Sequence, residues 1–278
     1  MLMNTLRFLI SACVTASLGL AALLVASPVS SDQKHEYTFG VFPHLPPRQL
    51  EKVYAPIAKE FSEILGHEVH LRSNSSYQNF MENLDQGKFD IAFVQPFDYI
   101  RVADKLGYKP LATRVEPLST IFVVSKDSKI KSASDLKGKT IALPPKVAAV
   151  SRLTMDYLKK MGLDPNKDVT ITHHRSHVSC MQQVIIKAAD TCGTAAPALR
   201  FFEHKMKVDL DVVAETGSIP HALFTAHPGL SEEDYNKIKT AILSWAKTEK
   251  GQALLKHGKL SPYKDIKDED YNVVRKMQ

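Results

Sequence analysis

The sequence predicts an α/β protein of two lobes, each a mostly parallel sheet flanked by helices, joined by two hinge crossings of the chain. Three observations predict it. Short β-rich runs alternate with amphipathic helices from Tyr37 onward, the alternation restarts at Thr120, and near Ala222 the chain returns to its first unit. With 278 residues and 44% hydrophobic content, the chain can fill two lobes of roughly 100–150 residues each.

The run Tyr37-Thr38-Phe39-Gly40-Val41 reads as a strand that ends in the turn formers Pro43 and Pro46-Pro47. Leu50, Val53, Tyr54, Ile57, Phe61 and Ile64 recur at helical spacing until Gly66 stops the helix, with Pro56 placed to kink it. Val69-His70-Leu71 is the next strand. Tyr77, Phe80, Met81 and Leu84 form a helical face closed by Gly87, and Phe89 to Val94 reads as a buried strand.

The second unit opens with the strand Thr120 to Val124, a short capped turn at Ser134 to Lys139, and the strand Thr140 to Leu143. Pro144-Pro145 breaks that strand, and a helix over 147–161 follows. Asp168 to Thr172 and Asp209 to Val213 add strands. The chain then returns at Ala222 to Thr225 and finishes with a helix capped by Ser231 that carries Ile238, Ile242 and Trp245. One lobe is thus expected to hold residues 36–118 and 217–278, and the other 119–216, with hinges near 115–120 and 214–220. Ligands of such sheets bind beyond the carboxyl ends of the strands.

Residues 1–31 read as a signal peptide. Arg7 precedes an uncharged apolar run from Phe8 to Ala26, and Val29-Ser30-Ser31 offers a small-residue cleavage site. That run of about 19 residues is also long enough to remain as an uncleaved N-terminal anchor. Either way the body is exported, and this segment is its one expected contact with a membrane. Ile10-Ser11-Ala12-Cys13 has the form of a lipoprotein box, but it lies too early in the apolar run.

Export leaves Cys180 and Cys192, which an oxidising compartment would join as a disulfide. A metal or metalloid site with His173, His174 and His177, or a pair of free thiols, are the alternatives. The net charge of +6 is spread along the chain without a block of like charges, so nucleic-acid binding is not expected. The excess suits an anionic ligand, or simply a solubilising surface. No GxSxG, HExxH or glycine-rich nucleotide motif occurs, which argues against an enzyme and against a cofactor.

Tyr77, the run Gly87-Lys88-Phe89-Asp90-Ile91-Ala92-Phe93-Val94-Gln95-Pro96-Phe97-Asp98-Tyr99, the stretch 126–142, Ser176-His177 and Ala189-Asp190 resemble the phosphate/phosphite/phosphonate-binding proteins of ABC importers. The resemblance runs from about residue 37 to residue 250. It implies the type II periplasmic binding protein fold, a periplasmic location, and delivery to an ABC permease. A membrane sensor kinase, in metalloid oxyanion sensing for example, is the alternative partner.

In that family an anionic head is held by tyrosines matching Tyr77 and Tyr99, by a histidine matching His177, and by a Ser/Thr-rich loop opening a helix. Here the loop position reads Ala148-Ala149-Val150, with Ser151 next. Each missing hydroxyl removes a charge-assisted hydrogen bond of about 1.5–3 kcal/mol. Gln95, at a strand end before Pro96, and Ser218, at the second crossing, complete the expected ligand set. The expected pocket therefore sets Tyr77, Gln95, Tyr99 and His177 against an apolar wall from Pro144 to Ser151. It suits a small oxyanion with an apolar or weakly hydrated portion better than bare phosphate.

Overall fold

Apolar residues at a spacing of two and of three to four divide the chain as expected, and several further elements complete it. The computed structural model of the protein describes residues 36–277 apart from Ser73 and Ser75; the leader read at residues 1–31 lies outside the described residues. The first stretch comprises β1 (Tyr37–Val41), α1 (Pro47–Leu65), β2 (Val69–Arg72), α2 (Tyr77–Asp85), β3 (Ile91–Val94), α3 (Pro96–Leu106) and β4 (Lys109–Arg114). A second stretch comprises β5 (Ile121–Ser125), β6 (Thr140–Leu143), α4 (Ala149–Lys160), β7 (Thr170–His173), α5 (His177–Ile185), β8 (Thr191–Thr194), α6 (Ala196–Met206) and β9 (Leu210–Glu215). The chain ends with β10 (Leu223–Ala226), α7 (Glu232–Ser244), α8 (Glu249–Gly258), β11 (Tyr263–Lys264) and α9 (Asn272–Arg275).

These strands make two sheets of matching topology, β2-β1-β3-β10-β4 with β11 at its edge, and β7-β6-β8-β5-β9. In the first, β1 pairs in parallel with β2 and β3, while β10 runs antiparallel between β3 and β4. In the second, β6 pairs in parallel with β7 and β8, while β5 runs antiparallel between β8 and β9. The sheets are mostly parallel in direction, each interrupted by one strand that arrives from the other. Residues 115–120 and 216–222 carry the chain across, and the crossings pair with each other through the bridge between Leu118 and Ile219.

The first sheet packs its aromatic face on α1 and α7. Phe39, Tyr54, Phe61, Phe93, Phe224 and Trp245 are fully buried there. Ring centroids lie 4.9 Å apart for Phe93 and Phe224 and 5.5 Å for Phe39 and Phe61, spacings at which aromatic pairs attract beyond their burial. The indole nitrogen of Trp245 donates to Glu60 at 3.1 Å, so the one polar atom of this large side chain is satisfied. Pro56 is accommodated within the continuous helix α1. In the second sheet, Gly193 lies where a Cβ would come within 2.6 Å of the Leu143 side chain; only a glycine lets β8 approach its neighbours this closely. Among the described residues, no helix is long and apolar enough to cross a membrane.

Cys180 and Cys192 form a disulfide with Cα atoms 5.8 Å apart. It staples α5 to β8 and removes the thiols that a metal or metalloid site would have needed. Cys180→Ser with Cys192→Ser should lower unfolding stability by about 2–3 kcal/mol, since the bond closes a short loop in the unfolded chain. Urea unfolding of the variant with and without reductant checks this, and equal stability of oxidised wild type and variant would refute it.

Candidate functional site

Helices that follow the carboxyl ends of strands aim their N-termini at one place. Tyr77 is the first residue of α2, started by Ser76, whose side chain accepts from the Asn79 N–H at 3.1 Å. Gln95 caps α3, Ala148 caps α4, and Ala195 caps α6. Ser176 caps α5 by a reciprocal box with Ser179, which leaves His177 as the first helical residue. Segments from all five line a cavity of about 390 Å³ between the two sheets, together with Phe42, Arg114, Pro145 and His221. The partial positive charge of helix N-termini favours an anion in such a place.

Of the expected ligand set, the structure brings Tyr77, Gln95 and His177 to this cavity. Tyr99 is not among its lining. Its side chain is fully buried, its hydroxyl donates to Asp268 at 2.7 Å, and its ring packs on Tyr271 with centroids 4.8 Å apart. Successive helical residues point about 100° apart; with Asp98 facing Tyr77, Tyr99 is turned onto the C-terminal segment. Ser151 is buried too, its hydroxyl donating to the carbonyls of Pro144 and Pro145 at 3.2 and 3.1 Å. It closes the loop into α4 and faces away from the cavity. Ser218 is exposed on the second crossing and does not line the cavity. Ala148, Ala149 and Val150 do line it, as the apolar wall.

The groups near α4 already have partners. Gln95 accepts from the Ala149 N–H at 3.0 Å and donates to the Tyr77 hydroxyl at 3.1 Å and to the Val147 carbonyl at 3.4 Å. Tyr77 in turn donates to Asp98, 2.5 Å from both carboxylate oxygens. Desolvation and the Asp98 charge raise the Tyr77 pKa far above its usual value, so it remains a neutral donor. The side-chain amide of Gln95 thus occupies the helix start that hydroxyls would serve in the resembled proteins, and it bridges the two sides of the cavity.

Sequence reasoning missed the cationic side of the cavity. Arg114, at the end of β4, lines it, as does His221 from the second crossing. The Ala222 N–H donates to His221 Nδ1 at 2.7 Å, which places the ring proton on Nε2. Burial, then the charge of Arg114, lowers the His221 pKa to about 3, and burial lowers that of His177 to about 4. Both rings are therefore neutral near pH 7. His177 Nδ1 lies 2.8 Å from the Thr194 hydroxyl, which fixes the ring against β8.

Two outcomes test the bridge. Gln95→Ala removes the bond to Ala149, worth about 1 kcal/mol, so exchange of the Ala149 amide proton should quicken about fivefold by NMR; unchanged protection would show that Gln95 does not hold it. Asp98 gives a pH signature. Burial raises its carboxyl from the ordinary 3.8 to about 6, against the opposing effects of the Tyr77 hydroxyl and the charges of Arg152 and Arg101. The folded value lies above the unfolded one, so the unfolded chain gives up its proton first, and stability falls as pH rises from about 4 to about 6. Asp98→Asn lacks this loss. Its stability relative to wild type should rise by about 3 kcal/mol between about pH 4 and about pH 7, measured by urea unfolding, whereas a pH-independent difference would mean that Asp98 ionises normally.

Comparison with known proteins gives this arrangement a context. Residues 39–271 match the family described as ABC transporter, phosphonate, periplasmic substrate-binding protein. Among solved structures, a binding protein component of an ABC phosphonate transporter from Pseudomonas aeruginosa superposes with a TM-score of 0.71 at 19% identity, covering 88% of this chain and 85% of that one. PhnD1 from Prochlorococcus marinus, solved with methylphosphonate, gives a TM-score of 0.72 at 18% identity, covering 87% and 96%. The periplasmic aliphatic sulphonate binding protein SsuA from Escherichia coli gives 0.62 at 16% identity, covering 87% and 90%. The fold is that of the type II periplasmic binding proteins, and the chain belongs to the phosphonate periplasmic substrate-binding protein family of ABC transporters.

Proposed function

We propose that this protein is exported by its N-terminal segment, captures a small organic oxyanion in the cavity between its sheets, and delivers it unchanged to an ABC permease. The observation that carries this reading is the convergence of helix N-termini, Tyr77 and His177 on one cavity of about 390 Å³, a size suited to a small molecule. On this reading residues 36–118 with 217–278 move as one lobe and 119–216 as the other, hinging at the paired crossings to trap the ligand. The apolar wall of Pro145, Val147, Ala148 and Ala149 supports an ion with an organic portion, since bare phosphate demands donors on every side.

Small-angle scattering and calorimetry on the purified protein test it. A bound oxyanion should give saturable binding with a fall in radius of gyration, and His177→Ala should weaken binding about tenfold by removing a polar contact. Tight binding of inorganic phosphate that His177→Ala leaves unchanged would overturn the assignment of this cavity.

A further inference from the structure

Arg114 carries one of the few buried polar atoms without a partner among the described residues, and the only one of them on a cation. Its guanidinium is charged at any ordinary pH, yet its Nε is shut away from solvent with no hydrogen-bond partner. Among the described residues no carboxylate pairs with it; its polar neighbours are the phenols of Tyr54 and Tyr263, and it lies 5.5 Å from the centre of the Phe93 ring. An interior cation without a counter-ion is costly, and a fold that retains one at the wall of a cavity is arranged for a counter-ion that arrives from outside.

We propose that Arg114 is the charge that recognises the ligand, and that the ligand is a singly charged organic oxyanion of the sulfonate or carboxylate type. The inference rests on the capture reading and narrows it. At the start of α4 the Ala149 N–H is taken by Gln95 and the N–H groups of Ala148 and Ser151 by the carbonyls of Pro145 and Ala148, so the head of the ion is displaced from that helix towards Arg114 and the Nε2–H of His221. A planar guanidinium fork fits two oxygens of one head group. His177 and His221 are neutral, and the Asp98 carboxyl is engaged by Tyr77. Arg114 is therefore the one enclosed cation of the wall, because Arg175 is exposed at the rim. One charge balances a monoanion; a dianion would bring a second charge into the interior unmatched. The tail of the ion then lies on Pro145, Val147 and Ala148.

Calorimetry and thermal shift of the purified protein with methanesulfonate, propionate, methylphosphonate and inorganic phosphate at mildly alkaline pH decide the matter. Methanesulfonate or propionate should bind at least about tenfold more tightly than phosphate, and the stronger of the two identifies the head group. Arg114→Met should weaken that binding by about tenfold to a hundredfold, while the protein without added anion melts no lower than wild type because an unmatched cation has gone. Arg114→Lys, which keeps the charge without the fork, should fall between them. Wild-type preference for phosphate overturns the proposal whether or not the variants fold. Equal binding by wild type and Arg114→Met overturns it and leaves anion capture standing. Absence of saturable binding for all four ions removes the capture reading and this inference together.

Discussion

Two neighbouring crossings of the chain govern this molecule. Leu118 and Ile219 exchange both of their backbone hydrogen bonds, at 2.8 and 2.9 Å. Two residues further on, the Thr120 N–H donates to the Thr216 hydroxyl at 2.9 Å, and the Thr216 N–H returns a bond to the Thr120 carbonyl at 2.9 Å. Each crossing delivers its strand antiparallel into the opposite sheet, β5 into one and β10 into the other. Neither sheet is complete without a strand supplied through this junction. Because the sheets share the junction, the carboxyl ends of their parallel strands face a common space, and the helices that follow those strands begin there.

Within that space the electrostatics are divided. On the α4 side, Gln95 satisfies the Ala149 N–H and the Tyr77 hydroxyl, and Tyr77 meets Asp98, so polar groups there are paired among themselves. On the β4 side, Arg114 retains an unpaired Nε. Buried polar groups are costly when unpaired and nearly neutral when paired. The unmatched one therefore has the most to gain from a ligand, although the α4 side carries more of the residues that resemble the family.

The parallel strands and the helices around them were legible because their apolar spacing is strong: Phe89 to Val94 and the face of α1 could hardly be read otherwise. β4 was not legible. Lys109-Pro110-Leu111-Ala112-Thr113-Arg114 has a proline and few β-branched residues, and it forms a strand only because β10 and β11 pair with it on either side, with a register shift close to Pro110. Losing that strand meant losing Arg114. Tyr77, Gln95 and His177 could be placed because each starts or caps a helix after a strand. Tyr99 and Ser151 could not, since which way a residue one turn further along faces is decided by Asp268 and by the Pro144 and Pro145 carbonyls, distant or irregular partners that no local pattern reveals.

The disulfide lies close to the same chemistry. Cys180 is three residues beyond His177 on α5, and Cys192 is two residues before Thr194 on β8, so the covalent bond spans the same helix and strand as the hydrogen bond between His177 and Thr194. The imidazole is thereby restrained twice against the same strand, and part of the entropy of positioning it is removed when the thiols oxidise. A reduced chain has the same residues without that preorganisation. The order of this wall is in that sense tied to its surroundings: the helix and strand that hold His177 are covalently joined only where the environment is oxidising.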